Sequence, residues 1–312
     1  CHLNHSHPQA AELFNPEKLP AFHDPFAGGG AIPLEAQRLG LESYASDLNP
    51  VSVMINKAMI EIPPKFSGQA PVGPKSDADK QQKFMEEWIG AKGLAEDVRR
   101  YGHWMHKEAF KRIGHLYPKI KVTSEMVSSR PDLLAHLGED LTVMSYIWAR
   151  TVNSPNPAFS EIEVPLVRSF VICKKKGLDH WVEPIVDGIT YKFVVRKSPI
   201  PTEAAKGTKL NKANFKCLIS SSPIDAAYVR EQAVAGKMGA KLLAIVAEGK
   251  KGRIYLSPDN STEESALSCE SNWKPEQKFF DKALGFRVAN YGLTHWSDLF
   301  TRRQLVALEC FT

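Results

Sequence analysis

Gly28, Gly29, Gly30 and Asp47 are the residues of this sequence best suited to gripping a ligand. Three successive glycines let the backbone turn tightly and let another molecule approach the main chain. An acidic residue about 20 positions beyond such a turn can hold the hydroxyls of a ribose, and Asp47 stands 19 positions after Gly28. Asp24, Pro25, Phe26 and Ala27 lead into the glycines, and Asn49 follows the acid. The flanking elements must present these groups together. Residues 19–23 read as a short strand, and residues 34–39 continue a helix whose first turn accommodates Pro33. Gly40 stops that helix, and residues 43–46 read as a second strand with Asp47 at its carboxyl end. In open α/β sheets that edge is where nucleotide-like ligands bind.

The dinucleotide fingerprint requires a third glycine for helix–sheet packing, and Pro33 occupies its place. No Gly-Lys-Ser or Gly-Lys-Thr closes the turn, so it is not a P-loop. An ordinary glycine turn of an α/β domain is the plain alternative. The run Asp24-Pro25-Phe26-Ala27-Gly28-Gly29-Gly30 instead resembles the first motif of S-adenosylmethionine-dependent DNA amino-methyltransferases. In that family the loop wraps the methionine and adenosine of the cofactor, and the acid after the second strand holds the ribose. The resemblance implies cofactor contacts at Asp24, Pro25, Phe26, Ala27, Gly28 and Gly30, ribose binding at Asp47, and Asn49 near the adenine.

With 312 residues the chain can build one large or two medium domains around a real core. Hydrophobic residues at 43% and charged residues at 24% place it among globular proteins and exclude a disordered chain. No apolar run reaches the length of a membrane span and no signal peptide is visible, so a cytoplasmic protein without membrane contact is expected. The five cysteines (Cys1, Cys173, Cys217, Cys269 and Cys310) form no Cys-x-x-Cys pair, which fits free thiols in a reducing compartment. A first residue that is not Met reads as a processed or cut start. The net charge of +5 is unevenly placed. Residues 151–260 hold 17 lysines and arginines against 10 acids, and the remainder of the chain is slightly acidic. Such a basic region is the footprint of a polyanion partner, or simply a solvated lysine-rich surface.

Along the chain, His2, His5 and His7 offer imidazoles for a metal or form a loose terminus. A helix capped by Asn49-Pro50 runs over residues 51–60 and should end at Pro63-Pro64. Residues 66–80 read as a surface linker, and Phe84, Trp88, Val98, Tyr101 and Met105 recur at helical spacing from Gln81 to Tyr117-Pro118. Residues 119–139 read as a mixed connector. β-like runs follow at 141–152, 164–172, 181–186 and 189–195, the last two joined at Asp187-Gly188 as a hairpin. After a polar loop over 198–214, residues 226–236 read as a helix, 242–247 and 253–256 as a second hairpin, and the chain closes with an amphipathic helix from Arg302.

Five stretches, at residues 24–36, 44–51, 148–152, 245–258 and 291–305, together resemble the large adenine-specific DNA methylases that carry an inserted zinc ribbon. The resemblance implies an α/β fold: a Rossmann-like S-adenosylmethionine-dependent methyltransferase core with a β-rich, degenerate zinc-ribbon-like insert. Its expected divisions are 1–64 (cofactor-binding part of the core), 65–140 (linker and helical region), 141–260 (basic β-rich insert) and 261–312 (return to the core). The family's ribbon reads Cys-Pro-Asn-Pro-x-Cys and then Cys-x-x-Cys, whereas this chain has Ser154-Pro155-Asn156-Pro157-Ala158-Phe159 and Cys217-Leu218-Ile219-Ser220. A closed zinc site needs four soft or imidazole ligands, so no metal is expected here. Phe300-Thr301 resembles the segment lining the methionine end of the cofactor, with Arg302 in place of a proline; Thr301 also reads as a helix N-cap. Methylation of an exocyclic amine in this family uses an Asp/Asn-Pro-Pro-aromatic loop, and no such tetrapeptide occurs in the sequence. Asn156 is the one catalytic candidate, and it sits where a ribbon knuckle belongs. The resemblance places the catalytic loop downstream of Thr312, on a further segment or a partner subunit. The reading is therefore the S-adenosylmethionine-binding portion of an adenine-specific DNA methyltransferase, with DNA as partner. The alternatives are an inactive module that binds cofactor and nucleic acid, or a methyltransferase acting on RNA or protein.

Overall fold

The structure, a computed structural model, describes residues 6–13, 15, 17–75, 87–175, 177–280, 285 and 287–312. His2, His5, Gln81 and Phe84 lie outside the described residues. The chain divides into two units, Cys1–Glu108 and Ala109–Thr312.

The first unit holds α1 (Ala10–Leu13), β1 (Phe22–Asp24), α2 (Ala31–Arg38), β2 (Ser43–Ala45), α3 (Pro50–Asn56), α4 (Ile62–Lys65) and the start of α5 (Lys92–Ile113), within which the division falls. β1 and β2 pair in parallel, Phe22 opposite Ser43 and Asp24 opposite Ala45, with α2 as the crossover. A parallel pair needs such a crossover, because no hairpin can join strands that run the same way. Gly30 takes the N-cap of α2 at φ 78°, and Pro33 falls in the first turn, where its missing N–H leaves no bond unmade. The helix after Asn49 differs from expectation, because Pro63-Pro64 does not end it. A π-turn over Lys57–Glu61 widens the helix, and the chain continues helically through both prolines to Lys65. The carbonyl of Ile60, which Pro64 cannot engage, accepts a hydrogen bond from Gln37 Nε2 at 3.2 Å. Residues 66–75, expected as a linker, lie along α5: the Gly73 N–H donates to Asp97, and a Cβ on Gly93 would strike the Gln69 carbonyl.

The second unit contains β3 (Ile120–Lys121), α6 (Ser124–Ser129), β4 (Asp140–Leu141), β5 (Val143–Asn153), β6 (Glu163–Pro165), β7 (Val171–Cys173), β8 (His180–Asp187) and β9 (Thr190–Lys197). It continues with α7 (Thr202–Lys206), β10 (Lys209–Asn211), β11 (Asn214–Lys216), β12 (Pro223–Ile224), α8 (Ala226–Val234), β13 (Gly239–Gly249), β14 (Gly252–Leu256), α9 (Asn260–Leu267) and α10 (Arg302–Phe311). The four-stranded sheet β14-β13-β5-β6 is antiparallel, and β7-β8-β9, β10-β11-β12 and β3-β4 form smaller sheets. β13 is buried on both faces, which is why it reads as the unbroken apolar run from Leu242 to Ala247. Leu243 and Ala244 pack with Val182, Phe193 and Val195 on one side, and Leu242 and Ile245 with Val122, Leu133 and Leu141 on the other. Each fully buried aliphatic side chain here contributes about 1.5–3 kcal/mol. In the hairpin of β8 and β9, Asp187 pairs with Thr190, so the two turn residues are Gly188 and Ile189. Gly188 at φ 59° supplies the left-handed first position that this turn class requires. No helix among the described residues is long and apolar enough to cross a membrane.

Candidate functional site

The glycine loop is tied to β2 beyond the end of the strands. Ser46 N–H donates to the Asp24 carbonyl at 2.9 Å, and Ala27 N–H donates to the Ser46 carbonyl at 3.1 Å. Asp24 Oδ1 accepts from the Phe26 N–H at 3.0 Å and so closes the turn that follows β1. Gly28 (φ 50°) and Gly30 (φ 78°) are left-handed, a region open to glycine at little cost. Asp47 reaches the loop directly: its Oδ2 accepts from Gly28 N–H at 2.8 Å and its Oδ1 from Asn49 N–H at 2.7 Å. These donors, the Asn49 N–H first and the Gly28 N–H second, hold the Asp47 carboxyl below the usual carboxylate range. From the other side Asn56 Nδ2 donates to the Gly28 carbonyl at 3.0 Å and to the Ser52 carbonyl at 2.8 Å. Gly28 is thus gripped at both its N–H and its C=O. Asn56 Oδ1 is buried without a partner among the described residues, and a Cβ on Gly30 would come within 2.4 Å of it.

The outer side of this loop is open. A side chain at Gly29 would meet nothing within 4 Å, and Phe26 and Leu48 are 88% and 101% exposed. Beside Asp47 lies a cavity of about 320 Å³ lined by Tyr44, Ser46, Asp47, Val53, Asn56 and Lys57 among others. Asn49 Oδ1 caps α3 by accepting from Val51 N–H at 3.0 Å, while its amide nitrogen donates to no described group. Each oxygen of an ionised carboxylate keeps a further lone pair. The arrangement therefore suits a ligand that bears hydroxyls.

Phe300 and Thr301 stand in the second unit. They line a separate cavity of about 320 Å³ there, with Trp148, Arg150, Asp298 and Arg302. Thr301 is the N-cap of α10: its Oγ1 accepts from Gln304 N–H at 3.2 Å, and Gln304 Oε1 accepts in return from Thr301 N–H at 2.8 Å. α10 is anchored by Arg303, which is buried with its guanidinium 3.9 Å from the Tyr146 ring and 5.0 Å from that of Tyr117. Arg303 Nη1 also donates to the Leu116 carbonyl at 3.0 Å.

The two ribbon-like stretches meet. Ser154 and Cys217 are both buried, and the thiol is hydrogen-bonded to Ser220 and Ser154. Burial pushes the Cys217 thiol up, but hydrogen bonds from Ser220, the Ile219 backbone and Ser154 outweigh it and leave the thiol below its ordinary value. Asn156 serves this structure: its Oδ1 accepts from Ala158 N–H at 3.1 Å, and its Nδ2 lies 3.4 Å from Ser222 Oγ. Phe159 closes the same turn through its N–H to the Asn156 carbonyl. Among the described residues no group of three or more His, Cys, Asp or Glu is arranged to hold a metal ion.

Residues 8–128 match the family model described as D12 class N6 adenine-specific DNA methyltransferase. The match supports an adenine DNA methylase family. No curated protein and no solved structure matches the chain. The stretch that matches the methylase family contains the glycine loop, Asp47, Asn49 and Asn56, whereas Asn156, Phe300 and Thr301 lie beyond it. Methylation of DNA adenine is the activity that the description of the matched family names. Sequence reasoning missed Asn56, Gln37 and Arg303. The signal for Asn56 was a polar residue on the buried side of a helix, seven positions after the capping Asn49. Arg303 carried no local signal, because its aromatic partners lie far away in sequence.

Proposed function

We propose that this chain is the S-adenosylmethionine-binding portion of an adenine-specific DNA methyltransferase. The observation that carries this reading is the Asp47 carboxylate bonded to the Gly28 N–H at the carboxyl edge of a parallel β-α-β unit. Asp24, Pro25, Phe26, Ala27, Gly28 and Gly30 form the cradle, and open space at the exposed Gly29 lets a ligand approach its outer side. Asp47 accepts hydrogen bonds from the ribose hydroxyls with the lone pairs left over from Gly28 and Asn49. Asn49 offers its free amide nitrogen to the adenine, and Phe26 offers an apolar surface. When bound, the cofactor supplies an electrophilic methyl group on a sulfonium. The basic region at residues 151–260 meets phosphates, and the paired Ser154 and Cys217 stretches are a zinc ribbon that has lost its metal ligands. That reading is supported by the hydrogen bonds that join Cys217, Ser220 and Ser154.

A second reading, a module that binds cofactor and nucleic acid without methyl transfer, is favoured by one observation. The Asp/Asn-Pro-Pro-aromatic tetrapeptide is absent from these 312 residues, and Asn156 is committed to capping its own turn. Calorimetric titration with S-adenosylmethionine tests the first claim: the wild type is expected to release heat, and Asp47→Ala to weaken binding by at least about tenfold. No heat with the wild type rejects it. Transfer of a labelled methyl group to adenine-containing DNA separates the enzyme from the silent module, and an RNA substrate run in parallel tests the remaining alternative.

A further inference from the structure

We propose that the basic ribbon formed by residues 206–216 is the surface that grips double-stranded DNA through its phosphates. The choice of DNA rests on the methylase reading; the choice of surface does not. Residues 206–216 carry four lysines and no acid. β10 and β11 form the two strands, with Asn211 paired to Asn214 and Lys212-Ala213 as the turn between them. Lys206, Lys212 and Lys216 are exposed and Lys209 is half-buried.

Two features coincide in this ribbon. Several cations elsewhere are already neutralised: Arg196 by Glu183, Lys197 by Asp132, Lys241 by Glu263 and Lys250 by Glu139. None of the four ribbon lysines has an ion-pair partner among the described residues. Secondly, Lys212 sits at the tip with φ 41°, in the left-handed region where glycine or asparagine is the inexpensive choice. Asparagines stand one position before and two after it, yet the strained position itself is a lysine. A backbone rule broken at an exposed tip by a cation is what a phosphate contact would maintain.

The root of the ribbon is rigid enough to aim its tip. Asn214 Nδ2 donates to Asn211 Oδ1 at 2.9 Å, and Asn214 Oδ1 accepts from Ala226 N–H at 3.0 Å. Lys216 N–H donates to the carbonyl of Thr208, whose buried hydroxyl donates to the Pro165 carbonyl at 2.6 Å. The β10-β11 hairpin projects from the small sheet it forms with β12, so Lys212 at its tip and Lys209 and Lys216 on its strands, with Lys206 at the end of α7, can face the sugar-phosphate rails beside the major groove.

The test uses the whole chain and a 20-base-pair duplex, with affinity read by fluorescence anisotropy across a salt series. Each phosphate contact adds about 0.9 to the slope of log affinity against log salt, so replacing all four lysines by glutamine is expected to lower the slope by about 3.6. At about 0.15 M salt the corresponding loss is on the order of a thousandfold. Replacement by arginine keeps the charge and is expected to keep binding, which controls for misfolding. Lys212→Gly is expected to raise the thermal midpoint while weakening DNA binding about fivefold. A wild type that does not bind the duplex, an unchanged slope in the glutamine variant, tighter binding to an RNA duplex, or a Lys212→Gly variant with wild-type affinity each overturns the proposal. Calorimetry with S-adenosylmethionine reads the cofactor claim separately, because the glutamine variant should bind the cofactor as the wild type does.

Discussion

Gly28 owes its position to two side chains, Asp47 on its N–H and Asn56 on its carbonyl, so single atoms decide whether the loop keeps its shape. The Asp47 carboxyl is depressed in the folded chain relative to an unfolded value of about 3.9. Its contribution is therefore fully present above the unfolded value and is lost as pH falls through the lower folded one. Affinity for S-adenosylmethionine is expected to hold from neutral pH through the usual carboxylate range and to fall only as pH drops through the lower folded value. A loss centred near neutrality in the same titration would point to a different group. Gly30 is constrained twice, by its φ of 78° and by Asn56 Oδ1 lying 2.4 Å from where a Cβ would stand. Gly30→Ala should cost about 1–2 kcal/mol for the backbone alone and more for displacing Asn56, read by denaturant unfolding. It should also weaken the cofactor. Gly29→Ala, with open space around it, should leave stability near that of the wild type.

Helices that began at a strong cap were readable from residues alone. Thr301 and Asn49 start α10 and α3 as their side chains predict, and Gly40 follows α2. Hairpins were readable too, since alternation and turn residues act over short distances. The strand partner of β5 was not, because its pairing with β13 joins residues about a hundred positions apart and no local pattern encodes it. The passage through Pro63-Pro64 was missed for the same reason: the amide that repairs it comes from Gln37. Arg303 is the sharpest case. Its buried charge has no carboxylate partner among the described residues and rests on two tyrosine faces and one carbonyl. Lysine would retain the buried charge and lose the flat stacking, whereas methionine removes the charge and fills the space. Arg303→Lys is expected to lower stability by about 1–3 kcal/mol and Arg303→Met by less, a ranking checked by denaturant unfolding. The opposite order would show that the positive charge over the two rings, rather than the flat shape, is what the site requires.

The two units are built differently. The three clusters of buried apolar side chains all lie in the second, while the buried apolar residues described in the first are alanines at positions 10, 27 and 36, together with Pro33. On the proposed ribbon reading, packing takes the place of ligands at Ser154, Phe159 and Ser220, because Cys217 sits within an apolar cluster with Val152, Val164 and Ile224. Restoring cysteine at those three positions beside Cys217 is expected to yield one bound zinc per chain by metal analysis, with a higher thermal midpoint; zinc-free protein would refute the ribbon ancestry. The first unit depends instead on polar fasteners. Asn56 ties the front of α2 to α3, and Gln37 ties its far end to the Ile60 carbonyl in the π-turn. A molecule settling on the glycines therefore bears on a lever whose other arm is a weakly wound coil of helix. Deuterium uptake by the amides of residues 57–61 should slow when the nucleoside arrives, although the coil never touches it, and an indifferent exchange rate there would mean that the lever is slack.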